Sequence, residues 1–107
     1  MAELPQPFFA ARTSADGRTL LHVGGDCDAA ALDALNDALA DAVEQDTGEV
    51  VVDLARTTFV DSLALGALVA AAKRARARGR SFRVVRPSAS VLRVFEITGL
   101  DRYLLSA

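Results

Sequence analysis

The segment Val50-Val51-Val52-Asp53-Leu54 constrains the fold more than any other. An unbroken β-branched run is the mark of a strand that lies centrally in a sheet or is covered on both faces. Helical patterns flank it on both sides. Upstream, Asp28 is a good N-cap and Ala29 to Glu44 reads as a helix. Leu32, Leu35, Leu39 and Val43 are spaced three, four and four, which makes one apolar stripe. Asp33, Asp37 and Asp41 repeat along another stripe, and Asp46-Thr47-Gly48 ends the helix. Downstream, a loop from Ala55 to Val60 leads into an alanine-rich helix from about Ser62 to Arg78. Leu65, Leu68, Val69 and Ala72 form its inner face, and Gly79 caps its C-terminus.

The remaining segments complete an α/β pattern. Phe8 to Thr13 and Thr19 to Val23 flank Ser14-Ala15-Asp16-Gly17, and the Asp-Gly pair predicts a β-hairpin. Gly24-Gly25 then breaks the second strand. Ser81 to Val85 reads as another strand. After Pro87 a short helix spans Ala89 to Thr98, with Val91, Leu92 and Phe95 inward and Ile97 a further candidate; Gly99 stops it. Asp101 to Ala107 reads as a final strand or turn. The order β-β-α-β-α-β-α-β predicts one α/β domain over residues 1–107, without linker or repeat. Leu32, Leu35, Leu39, Leu65, Leu68, Val69, Leu92 and Phe95 are its expected core.

Composition narrows the function. The chain has 107 residues, 51% hydrophobic and 24% charged, as expected of one globular domain. One cysteine, Cys27, excludes an internal disulfide, and with a single histidine, His22, it leaves no Cys/His zinc cluster. The longest stretch without polar side chains, Leu63 to Ala72, is half a membrane span, and Met1 to Pro5 lacks the basic start of a secretion signal. These features predict a cytoplasmic protein with no membrane insertion. The net charge of −2 hides an asymmetry: residues 1–54 hold eleven acids and two bases, residues 55–107 ten bases and three acids. The run Lys73, Arg74, Arg76, Arg78, Arg80, Arg83, Arg86 admits a nucleic-acid reading. The more economical reading is an acidic and a basic helix in one small fold, each solvated or facing the other, with no direct nucleic-acid contact.

Phosphate-cradling glycine loops and the G-x-S-x-G elbow are missing. A Ser-His-Asp triad would have to use His22, which sits inside a strand. No catalytic residue, cofactor or metal is expected, and the chain does not read as an enzyme. The informative segment is Phe59-Val60-Asp61-Ser62-Leu63-Ala64-Leu65-Gly66, where two apolar residues lead into an acid and a hydroxyl at a helix start. Asp61 or Ser62 can serve as an N-cap. Alternatively, Ser62 is a modifiable hydroxyl whose phosphate would meet the first-turn amides and the positive end of the helix dipole.

These residues resemble the STAS domain (sulphate transporter and anti-sigma factor antagonist), in particular the stand-alone bacterial anti-anti-sigma factors. Phe59, Val60, Asp61, Ser62, Leu65 and Gly66 keep that family's pattern; Leu63 stands where a hydroxyl is usual and Ala64 where glycine is usual. Gly25-Asp26-Cys27-Asp28 and Phe95-Glu96-Ile97-Thr98-Gly99-Leu100 are similar to two further family segments, in the same order along the chain. The resemblance implies a mixed four- to five-stranded sheet with helices on one face. It implies that Ser62 is the phosphorylation site, and that Gly25, Asp26, Asp28, Phe59, Asp61, Ser62 and Leu63 lie at the partner surface. The implied partners are an anti-sigma factor serine kinase, bound by the unphosphorylated form so that a sigma factor is freed, and a serine phosphatase that restores that form. The chain itself is expected to be a monomer or weak dimer. An unphosphorylated STAS scaffold subunit, for example of a lipid-transport ATPase complex, is the alternative.

Overall fold

The structure is a computed structural model that describes residues 6–105. The expectation about Met1 to Pro5, and the last two residues of the segment read as a final strand, lie outside the described residues. Strand β1 (Phe9–Ala15) turns through Asp16 and Gly17, at φ 55° and 77°, into β2 (Arg18–Cys27). Two successive left-handed residues make the turn that matches the twist of a hairpin, which is why Asp-Gly occurs there. A 3₁₀ turn (Ala29–Ala31) and α1 (Leu32–Gln45) follow, in place of one continuous helix. Next come β3 (Val50–Val60), α2 (Ser62–Ala77), β4 (Phe82–Val85), α3 (Ala89–Thr98) and α4 (Asp101–Leu104).

The sheet order is β1-β2-β3-β4, with β1 antiparallel to β2 and the other pairs parallel. β3 is therefore central, as its valines require, but it is covered on one face only. Val50, Val52 and Leu54 are buried with Leu21, Val23, Val84, Leu35, Leu39, Leu65, Leu68, Val91 and Phe95 in a single cluster beneath the helices. Val51 is half-buried on the opposite, open face. Leu32, Val69 and Leu92, expected in the core, are likewise half-buried, and Ile97 is exposed. The alanines of α2 take up the contact instead: Ala64, Ala67, Ala71, Ala72 and Ala75 are all buried, so that helix lies close against its neighbours.

Three expectations are corrected. Gly24-Gly25 does not end β2. The strand passes through two register shifts, between His22 and Gly24 and between Gly25 and Asp26, and continues to Cys27. Ala55 to Val60 is not a loop but the second half of β3, because the prolonged β2 gives it a pairing partner: Gly24 opposite Arg56, Gly25 opposite Thr57. Thr57 is buried there and donates its hydroxyl to the Val23 carbonyl at 2.8 Å. The final strand is instead α4. After the left-handed Gly99 (φ 77°), the Leu100 and Gly99 amides bond back to Phe95 and Glu96, and the chain starts a new turn. Leu104 is fully buried, while the Arg76 guanidinium stacks over the Tyr103 ring and donates to the Tyr103 carbonyl at 2.8 Å.

Arg80 belongs to the architecture and not to a charged surface. Its guanidinium donates to the carbonyls of Ala42, Val43 and Gly48 at 2.9, 2.6 and 2.6 Å and to the Thr19 hydroxyl at 3.2 Å. The side chain thus closes the C-terminal end of α1, where carbonyls lack helical partners and the dipole favours a cation.

Candidate functional site at the start of the second long helix

β2 and β3 are parallel and end side by side, with Asp26 opposite Phe59 and Cys27 opposite Val60. Each strand enters a helical start within one residue. Asp28 caps the 3₁₀ turn by accepting from the Ala31 amide at 3.2 Å, and Asp61 caps α2 by accepting from the Ala64 amide at 2.9 Å. The Asp61 amide donates to the Cys27 carbonyl at 3.2 Å and ties the two ends together. The carboxyl ends of parallel strands are where α/β sheets gather functional groups, since the helix starts converge there.

The capping role falls to Asp61 and leaves the Ser62 hydroxyl out of it. Ser62 is the exposed first residue of the 16-residue α2. The amides of Ser62 and Leu63 have no carbonyl behind them within the helix, so this end carries a positive potential. Two apolar side chains flank the serine in the open: Phe59 is 49% exposed and Leu63 54%. Asp26, Asp28 and Asp61 are half-buried around it. The sequence-derived set therefore comes together at one strand-end surface, apart from Gly25. Gly25 is buried at φ 79°, and a Cβ there would fall 1.9 Å from the Pro7 carbonyl oxygen, so it serves the close passage of two backbones.

Two contributors carry no motif. The Thr58 hydroxyl donates to Asp26, and Gln6 exchanges backbone bonds with it: the Gln6 amide donates to the carboxylate at 3.1 Å, and the Asp26 amide to the Gln6 carbonyl at 2.9 Å. The Thr58 hydroxyl, then the Gln6 amide, hold the Asp26 carboxyl below its ordinary range. Only the β2–β3 register could have revealed Thr58, and no local signal marks Gln6. Cys27 is buried behind the surface. Burial, then the charges of Asp28, Asp26 and Asp61, push its thiol up to about 11, which favours the neutral thiol over the thiolate.

Elsewhere the structure places the remaining residues that the sequence singled out. His22 Nδ1 meets Asp53 Oδ2 at 3.2 Å on the open sheet face, away from the Ser62 end of the strands. Among the described residues, no group of three or more His, Cys, Asp or Glu side chains is placed to hold a metal ion. No helix among them is long and apolar enough to cross a membrane. The basic run is divided: Arg76 and Arg80 bond to backbone carbonyls, Arg83 to Glu49 and Arg86 to Asp53. Lys73 and Arg74 on α2 and Arg78 at its C-cap are left as exposed cations, while Asp33, Asp37 and Asp41 are exposed on α1.

The chain is thus a small α/β domain with an acid-capped, serine-first helix at its parallel strand ends. The chain matches the family model described as "Mlab, STAS domain" over residues 10–106, and it belongs to the STAS-domain family. It is similar to the crystal structure of an anti-sigma factor antagonist from Mycobacterium paratuberculosis, with 25% identity and a TM-score of 0.82 over 96% of this chain and 87% of that one. It is also similar to the unphosphorylated anti-sigma factor antagonist SpoIIAA, with 21% identity, a TM-score of 0.71, and coverage of 94% and 88%. The phosphorylated form of SpoIIAA, a Bacillus cell fate determinant, superposes with a TM-score of 0.66 at 20% identity, covering 94% and 91%.

Proposed function

We propose that this chain is an anti-sigma factor antagonist of the cytoplasm, a non-enzymatic protein that works by exchange of partners. Its unphosphorylated form binds an anti-sigma factor serine kinase and so frees a sigma factor. Phosphorylation of Ser62 switches that binding off, and a serine phosphatase restores it. The observation that carries this reading is the exposed Ser62 hydroxyl, left free by the Asp61 cap and set between exposed Phe59 and Leu63. A phosphoryl group adds about −1.5 to −2 charges. Placed beside Asp61 and between two apolar contacts, it opposes docking both by repulsion and by the cost of desolvating it. A coupling of about 1–3 kcal/mol is enough for a 5–150-fold change in affinity.

The test is titration of wild type, Ser62→Ala and Ser62→Asp against an anti-sigma serine kinase with nucleotide, with a thermal melt of each. Ser62→Ala is expected to hold its affinity in the presence of ATP, and Ser62→Asp to bind more weakly while remaining folded, since an acid in the first turn suits the dipole. Intact mass after incubation with kinase and ATP is expected to show one added phosphoryl group in wild type and none in Ser62→Ala. A second reading, a STAS scaffold that uses this surface for constant contact, for example in a lipid-transport ATPase complex, is favoured by one observation: Leu63, more than half exposed, is an apolar contact residue beside the serine. Equal affinity of all three proteins for the partner would select that reading.

A further inference from the structure

The open face of the sheet holds a groove of about 340 Å³, and none of its lining residues belongs to the Ser62 surface. It is lined among others by Phe9, Ala11, His22, Asp53, Arg56 and Arg86. That volume is at the lower end of the pockets that hold small molecules, about 300–1,000 Å³. One wall is aromatic. The Phe9 ring rests on Gly24 so closely that a Cβ at Gly24 would lie 2.0 Å from a ring carbon, so glycine is what lets the ring lie there.

The opposite wall is cationic. Asp53, only 4% exposed, has both oxygens occupied: Oδ1 accepts from the Ala55 amide at 2.9 Å and Oδ2 from Arg86, with His22 Nδ1 lying 3.2 Å from Oδ2. Its carboxylate is therefore spent on its neighbours. Arg86 gives it one nitrogen, and its side chain remains 68% exposed, with most of its five donors open. Arg56 makes no ion pair among the described residues and is exposed at the same groove. The backbone of Arg86 is left-handed at φ 51°, an uncommon state for a bulky residue and one that concentrates at ligand clamps.

We propose that this groove binds a small aromatic anion, a planar ring bearing one phosphate or carboxylate, with the ring on Phe9 and the anionic group held by Arg56 and Arg86. Guanidinium forks match both oxyanions, and a ring on Phe9 gains the offset contact that aromatic pairs favour.

The test uses the full chain, isotopically labelled, titrated with phenyl phosphate, benzoate, inorganic phosphate and benzyl alcohol while amide shifts are followed. Phenyl phosphate is expected to saturate with shifts centred on Phe9 to Ala11, His22, Asp53 to Arg56 and Arg86. Benzoate reports whether a carboxylate serves as well as a phosphate. Inorganic phosphate and benzyl alcohol, each carrying half of the ligand, are expected to bind more weakly. Arg56→Gln, at an exposed and unpaired position, is expected to melt like wild type and to weaken phenyl phosphate about tenfold. Phe9→Leu is expected to weaken phenyl phosphate while leaving inorganic phosphate unchanged. Absence of saturation, shifts centred on Ser62, benzyl alcohol or inorganic phosphate binding as tightly as phenyl phosphate, or equal affinity of wild type and a folded Arg56→Gln would each overturn the proposal.

Discussion

Replacing Arg80 by methionine tests whether the basic run is surface or framework. The substitution keeps an apolar stem of similar length and removes four hydrogen bonds. The carbonyls of Ala42, Val43 and Gly48 lose their side-chain donor, and each carbonyl left unpaired costs about 1–3 kcal/mol when buried. Thr19 keeps its bond to Asp46 at 2.8 Å and loses less. Against this, methionine no longer has to desolvate a guanidinium, the cost that lowers the Arg80 pKa in the folded chain. The balance is a loss of about 3 kcal/mol, within the range for breaking a buried charged network. That is a large part of the roughly 5–15 kcal/mol available to a domain. With a urea slope of about 1–3 kcal/mol/M, the midpoint should fall by at least 1 M. Urea unfolding followed by circular dichroism measures it, with Arg80→Lys as a control that restores the charge but not the fork. A loss below about 1 kcal/mol would refute the reasoning, since the carbonyls would then be finding water at no cost.

Asp61→Ala removes the bond to the Ala64 amide and is expected to cost about 0.5–2 kcal/mol in a thermal melt. Gly25→Ala places a methyl group against the Pro7 carbonyl at a left-handed φ; a loss of at least about 1 kcal/mol is expected in urea unfolding. Asp53→Asn addresses acid stability. Burial raises that carboxyl, but the Arg86 hydrogen bond, the Ala55 amide and the charges of Arg86 and His22 outweigh it and hold it below its ordinary value. A depressed carboxyl contributes stability above its unfolded value of about 3.9, lost as pH falls through the folded value. The variant is therefore expected to be less stable at neutral pH and to show a flatter acid limb below about pH 4 in melts taken across pH.

The parts legible in the sequence were those fixed by local chemistry. Asp16-Gly17 specified its turn, Gly79 and Gly99 closed their helices, and Asp61-Ser62 marked the start of α2. What escaped was decided between segments. Ala55-Arg56-Thr57 has no strand signature of its own and becomes strand only because β2 continues past Gly25 to pair with it. Tyr103-Leu104-Leu105 reads as a short strand when taken alone. Packing selects the helical form, which sends Leu104 inward and lays Tyr103 on Arg76. Arg80 was hidden among six other basic residues, and nothing in its neighbourhood announces burial; only the approach of the α1 end from more than thirty residues away does so. At the candidate site, Phe59, Asp61, Ser62 and Leu63 were visible as one motif, whereas Thr58 and Gln6 reach Asp26 through register and chain path.

The same geometry bears on how a phosphate at Ser62 would act. Within the chain its effects oppose one another. The first turn of α2 contains no acid, so a negative group there is stabilised by the dipole, typically by about 0.3–1 kcal/mol. Asp61, Asp28 and Asp26 stand close by in sequence or register, and their repulsion, screened by solvent at an exposed position, has a similar scale. The two nearly cancel, and no buried contact depends on the Ser62 hydroxyl, because Asp61 has taken the cap. If Ser62 is the switch of the proposed function, it leaves the folded domain almost unchanged and concentrates its free energy in whatever docks on Phe59 and Leu63. On the proposed function, phosphorylated and unphosphorylated chains should melt within a few degrees of each other, about 4–8 °C per kcal/mol for a domain of this size, while their affinities for the kinase differ. A large drop in melting temperature on phosphorylation would show instead that the serine supports the helix start, and the loss of binding would then follow from loss of structure.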